Sequence, residues 1–124
     1  MFVLSKDDRH ISIVANTSDL EPLEREDIEN GLYFGWDASG YPINLKWNKK
    51  DGPKVVQVST EQRIDELRKA VFEYVDSYAA FYRPDKAFIY DKTTKDLTVL
   101  IESMRTHINE GPFKNRVRNF FLRF

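Results

Sequence analysis

The stretch Leu32–Tyr33–Phe34–Gly35–Trp36–Asp37, Ala38–Ser39–Gly40–Tyr41, Pro42–Ile43–Asn44–Leu45–Lys46–Trp47–Asn48 decides how the chain is read. Its second arm alternates: Ile43, Leu45 and Trp47 fall on one side, Asn44, Lys46 and Asn48 on the other. A period of two is that of a half-buried strand. In the first arm Leu32, Phe34 and Trp36 share a side, with Tyr33, Gly35 and Asp37 opposite. Ala38–Ser39–Gly40–Tyr41 between them is turn chemistry. The two arms predict a hairpin that puts both tryptophans in one sheet.

Working outward, the N-terminal half reads as β. Phe2–Val3–Leu4 and Ile11–Ser12–Ile13–Val14 flank a polar Lys6–Asp7–Asp8–Arg9 turn and predict a hairpin. Ser18 or Asp19 caps an expected short acidic helix running to Asn30–Gly31, a pair that also reads as a tight turn. Asp51–Gly52–Pro53 turns the chain again, before an expected strand Lys54–Val55–Val56–Gln57–Val58.

The C-terminal half reads as helical. Ser59 or Thr60 is the expected cap, followed by Glu61, Gln62 and Arg63 in the first turn. Ile64, Leu67, Val71, Tyr74, Tyr78 and Phe81 recur at helical spacing, with Phe72, Val75, Ala79 and Tyr82 in a second row beside them. This apolar arc is wider than an ordinary amphipathic stripe. Arg83–Pro84 ends the helix, because proline disfavours helical geometry in the residue before it. Lys86–Ala87–Phe88–Ile89–Tyr90 reads as a short strand. From Asp91 onward a hairpin and a helix compete. The spacing of Leu97, Leu100, Ile101, Met104 and Ile108 favours a helix from about Thr94 to Asn109, capped by Thr94 or Asp96 and stopped at Gly111–Pro112. Phe113, Val117, Phe120, Phe121 and Phe124 then mark a basic C-terminal segment that carries Lys114, Arg116, Arg118 and Arg123. The expected fold is therefore α+β, with an N-terminal antiparallel meander of four to five strands against a long central helix and C-terminal helices. Residues 1–124 are read as a single domain, since 124 residues is a usual domain length.

The chain has no cysteine, so disulfides, zinc–thiolate sites and thiol nucleophiles are excluded. Met1 to Asp8 lacks the cationic start and longer apolar run of a signal peptide. No stretch approaches the ~18 consecutive apolar residues of a membrane span. A cytoplasmic protein without membrane contact is expected. His10 and His107 stand in no HExxH, HxH or HxxxH pattern. No GxSxG, GxGxxG or GxxxxGK[ST] motif occurs. Asp91 to Asp96 lacks the glycine and terminal glutamate of a calcium loop. Neither catalysis nor a cofactor or metal is expected from these patterns.

The formal net charge of −1 hides an asymmetry: residues 1–40 hold nine acidic and three basic side chains. Six acidic residues fall within Asp19–Asn30, beside the tryptophan-bearing hairpin. Carboxylates next to aromatic anchors suit fast, tight binding of a basic partner. The expected partner-binding residues are Glu21, Glu24, Glu26, Asp27 and Glu29 for charge, and Tyr33, Trp36, Asp37, Tyr41 and Trp47 for anchoring. Asp37 after a strand also suits a purely turn-forming role.

Short, cysteine-free, aromatic-rich and acidic on one side, the chain resembles small bacterial immunity proteins and phage-encoded inhibitors. The resemblance is one of type, covers no particular motif and carries over no site. It implies a protein-binding module that occludes a basic protein partner such as a nuclease toxin, as a monomer or weak dimer. The alternatives are a nucleic-acid-associated accessory protein using the basic C-terminal face and a small-ligand-binding domain.

Overall fold

The computed structural model describes residues 1–109; the basic segment from Phe113 lies outside the described residues. The fold is α+β, with an N-terminal antiparallel sheet followed by helices. Five strands form the sheet in the order β2-β1-β3-β4-β5. They are β1 Phe2–Ser5, β2 Ile11–Ile13, β3 Tyr33–Trp36, β4 Pro42–Asn48 and β5 Gly52–Gln57. The chain divides into two compact units, Met1–Ala70 and a second from Val71, with the boundary inside the long helix.

In the first unit every neighbouring pair of strands is antiparallel. After the β1–β2 hairpin the chain crosses one face of the sheet and returns as β3 on the far side of β1. Between the hairpin arms Arg9 holds a left-handed backbone at φ 58°. Asp8 Oδ1 accepts the His10 amide at 3.0 Å in the same turn.

The crossing segment departs from the expected single helix. A 3-10 turn over Thr17–Leu20 comes first, then a five-residue helix, α1, over Arg25–Glu29. Pro22 between them has no amide hydrogen to continue a ladder, and Glu24 restarts the chain from an extended conformation. Asp19 does serve the first piece, its Oδ2 accepting the Ala15 and Asn16 amides at 3.1 Å each. Asn30–Gly31 proves to be a helix end: Gly31 N–H donates to Ile28 C=O (3.1 Å) and Leu32 N–H to Asp27 C=O (3.0 Å). That is the Schellman pattern, with Gly31 at φ 69°.

Leu20 and Ile28 anchor this segment on a buried cluster with Val3, Val14 and Leu45. Met1, Leu23, Tyr33, Trp47 and Val55 pack around it, half-buried. Register places Trp36 opposite Pro42, and Phe34 opposite Asn44. Since opposed residues point to the same face, Trp36 and Trp47 lie on opposite faces of the sheet. β5 starts earlier than expected because Gly52, at φ 78°, and Pro53 both join it, pairing with Asn48 and Trp47. An edge strand tolerates that proline.

Helix α2 covers Ile64–Tyr82. It begins later than the Ser59 or Thr60 cap would place it, because residues 59–63 are tied elsewhere. Ser59 Oγ accepts the Glu61 amide at 3.0 Å. Arg63 N–H reaches Gly40 C=O at 2.8 Å, and the Gln62 side-chain amide donates to Ser39 C=O. Gly40 makes that docking possible: it sits at φ 89°, and a Cβ there would lie 2.8 Å from Ile64 Cα.

In the second unit Val71, Tyr74, Val75 and Ala79 of α2 are buried, whereas Phe81 is 77% exposed and stands outside the core the helical spacing suggested. Helix α3, Leu97–Asn109, buries Leu97, Leu100, Ile101, Met104 and Ile108, as their spacing predicts. Asp96 caps it, with Oδ1 accepting the Val99 amide at 3.1 Å. The expected strand at Lys86–Tyr90 does not form. Residues 87–90 instead run without a ladder, and ring contacts hold them: Phe88 to Tyr90 at 5.4 Å, Phe88 to His107 at 5.2 Å and Tyr90 to Phe72 at 5.6 Å. Aromatic packing here replaces strand pairing.

Candidate functional site

The ten expected binding residues separate into two groups. Glu21, Glu24, Glu26, Asp27, Glu29, Tyr33 and Trp47 belong to the crossing segment and the sheet face beneath it. Trp36, Asp37 and Tyr41 sit at the other end of β3.

The second group is occupied by the fold. Trp36 is 4% exposed, so it presents no anchor to a partner. Its ring meets Phe34 edge-on at 5.0 Å, and its indole Nε1 has no hydrogen-bond partner among the described residues. Asp37 builds the β3–β4 turn: Oδ1 accepts the amides of Ser39 (2.9 Å) and Tyr41 (3.0 Å). Tyr41 also returns its carbonyl to the Asp37 amide at 3.0 Å. An aspartate closing its own turn is a local conformational device.

The first group forms a continuous surface. Ile28 and Leu23 turn inward, which leaves Glu21, Glu24, Glu26 and Glu29 exposed and Asp27 half-exposed. Among the described residues, Glu21, Glu24, Glu26 and Asp27 take part in no ion pair. Their charge is therefore unneutralised at short range.

Tyr33 is the centre of this surface. It is half-buried at the start of β3. Burial first, and then the negative field of Asp27, Asp7, Asp8 and Glu24, holds its phenol above the ordinary value. Carboxylates from two separate elements, the β1–β2 turn and the α1 segment, thus act on one phenol. Beside it lies a cavity of about 50 Å³ bounded by Val3, Val14, Leu20, Leu23 and Tyr33. That volume takes a water or a small side-chain end, not a cofactor.

Asp7 and Asp8 join the candidate surface without having been among the residues the sequence singled out. In sequence they read as turn formers, and they do form the turn. Asp7 Oδ1 accepts from Ser5 Oγ at 2.6 Å and from the Asp8 amide at 2.7 Å. Those bonds keep the Asp7 carboxyl below its ordinary range, so it stays ionised. The signal for its second role is pairing: Ser5 lies opposite Tyr33, so the turn after β1 must sit beside the start of β3.

Arg25 was also missed. It is the one cation within Asp19–Asn30, and its guanidinium carbon stands 6.0 Å from the centroid of the Trp47 ring. Arg25 Nε also donates to Glu29 Oε1 at 2.9 Å, one helical turn on. Trp47 is thereby covered on one side by a paired cation.

Among the described residues, no group of three or more His, Asp or Glu side chains is arranged to hold a metal. None of the described helices is long and apolar enough to cross a membrane. Comparison with known proteins finds no match to a family model, to a curated protein or to a solved structure. The functional reading therefore rests on the chain's own geometry.

Proposed function

We propose that this protein is a binding module whose acidic surface, centred on Tyr33, recognises a basic protein. The observation that supports it is the placement of half-buried Tyr33 between two carboxylate-bearing segments: it pairs with Ser5, which leads into the Asp7–Asp8 turn, and it packs on the cluster that anchors the segment carrying Glu24 and Asp27. Unpaired carboxylates around a partly desolvated aromatic combine long-range steering with a short-range anchor. Glu21 and Glu26 extend the same field along the exposed side of the crossing segment, where Glu29 is paired with Arg25. Within this reading the protein acts as an inhibitor of the immunity type. It occludes the active site of a partner whose own substrate is polyanionic, such as a nuclease toxin. A basic cleft evolved for phosphates meets carboxylates instead.

The test is a comparison of two tagged chains expressed in the native host and recovered at moderate salt. One is the wild type; the other carries Glu21→Gln, Glu24→Gln, Glu26→Gln, Asp27→Asn and Glu29→Gln. The reading expects one stoichiometric basic protein with the wild type and its loss with the variant. Equal recovery by both chains, or recovery of nucleic acid alone, would overturn it.

A further inference from the structure

Trp47, Arg25 and Glu29 form a small constellation of defined chemistry. A guanidinium lies near an indole face at 6.0 Å and bonds a carboxylate at 2.9 Å. Aromatic face plus carboxylate is how proteins hold an arginine from another molecule. Here the occupant comes from the chain itself. It is held loosely, since the Arg25 and Glu29 side chains are 53% and 49% exposed. Trp47, by contrast, is fixed: it is paired in β4 and packed against the buried cluster of the sheet. The indole is therefore better ordered than the Arg25–Glu29 pair beside it.

We infer that Trp47 and Glu29 are a receptor for a partner's arginine, and that Arg25 is an internal surrogate displaced when the partner binds. The inference rests on the proposed recognition of a basic protein and names the group that such a protein inserts. Arginine fits better than lysine for two reasons. The planar guanidinium stacks on an indole while its edge N–H groups reach a carboxylate, and the Arg25 guanidinium already lies 6.0 Å from the Trp47 ring centroid while bonding Glu29. In the free protein Arg25 lies over the half-buried Trp47 ring. It also competes: a tethered ligand one turn from its carboxylate acts at high effective concentration. A partner whose arginine arrives with further contacts to the acidic surface displaces it more readily than a lone arginine does.

The experiment uses the full chain and a small probe, N-acetyl-arginine methylamide, with the lysine analogue as control. The readout is the indole N–H resonance of Trp47 in a nitrogen–proton correlation spectrum. In Arg25→Ala the receptor is empty, and the arginine probe is expected to shift that resonance saturably. The apparent affinity in Arg25→Ala should exceed that of the wild type by roughly fivefold, since an exposed ion pair with a cation–π contact is only modestly populated. Adding Glu29→Gln to Arg25→Ala should remove the saturable shift, and the lysine analogue should bind more weakly than arginine. The inference is overturned if Arg25→Ala shows no saturable shift, if it and the wild type bind the probe equally, or if Glu29→Gln changes nothing. The Trp36 resonance, from a buried ring, reports whether each variant keeps its fold. Probe binding and recovery of a basic partner are separate measurements, so failure of one is distinguishable from failure of the other.

Discussion

Trp36 and Trp47 stand on opposite faces of one sheet, Trp36 opposite Pro42 in β3–β4 pairing and Trp47 opposite Pro53 in β4–β5 pairing. Their environments follow from that geometry. Trp36 is 4% exposed, whereas Trp47 is half-buried beneath Arg25. Iodide should therefore quench one emission component and spare the other. Trp47→Phe should remove the quenchable component, and Trp36→Phe should retain it. Trp36→Ala should cost about 3–5 kcal/mol of stability, the usual range for truncating a buried aromatic. Denaturant titration checks that value. Trp47→Ala should weaken partner capture while leaving the fold intact.

Two left-handed backbone positions give opposite expectations. Gly40 combines φ 89° with a close approach to Ile64, so Gly40→Ala should destabilise by about 2–3 kcal/mol through strain and overpacking. Arg9, at φ 58°, carries a side chain where glycine is favoured. Arg9→Gly should be neutral or stabilising by up to about 1 kcal/mol. Midpoints of chemical denaturation decide both signs.

Asp37 separates turn chemistry from recognition. Asp37→Ala removes an acceptor for the Ser39 and Tyr41 amides, which should cost about 1–2 kcal/mol. Partner capture by the folded variant should match the wild type, because Asp37 lies away from the surface around Tyr33. A selective loss of capture at unchanged stability would return Asp37 to the recognition surface.

The phenol of Tyr33 is held above its ordinary value by burial and by the carboxylates around it. Its raised folded value means that the folded protein keeps the proton longer than the unfolded chain does. Stability from this source is complete below about pH 10, the unfolded value, and is lost as pH rises through the folded value. Tyr33→Phe should therefore flatten part of the alkaline decline in stability. Asp27→Asn should lower the Tyr33 transition towards the ordinary value, read as the Tyr33→Phe difference in phenolate absorbance.

Much of the sheet was legible because strands half-buried on one face must alternate, as Ile43, Leu45 and Trp47 do. Helix α3 was legible because Leu97, Leu100, Ile101, Met104 and Ile108 repeat at its pitch. What periodicity could not supply was register. Alternation alone leaves Trp36 and Trp47 free to share a face, and the offset that separates them is set by the five residues, Asp37 to Tyr41, that connect Trp36 to its partner Pro42. The strand suggested at Lys86–Tyr90 had strand composition but no partner strand among the described residues, and ring stacking took its place. For the site, the crossing segment announced itself through density of charge. Asp7 and Asp8 did not, since their nearness to Tyr33 depends on the pairing of Ser5 with Tyr33, a contact between distant parts of the sequence. Arg25 was invisible for a related reason: its role depends on Trp47, a β4 residue carried beneath α1 by the fold.

The central claim is that carboxylates from two elements act together on a basic partner through the surface around Tyr33. The most direct measurement is the association rate of the recovered partner as a function of ionic strength. It compares the wild type with a chain carrying Asp7→Asn, Asp8→Asn, Glu24→Gln and Asp27→Asn. The wild-type rate should fall steeply with added salt, as steered association does. The variant should start about tenfold or more slower at low salt and depend only weakly on it. Equal rates and equal salt dependence for the two chains would contradict the account, because the four carboxylates would then take no part in recognition.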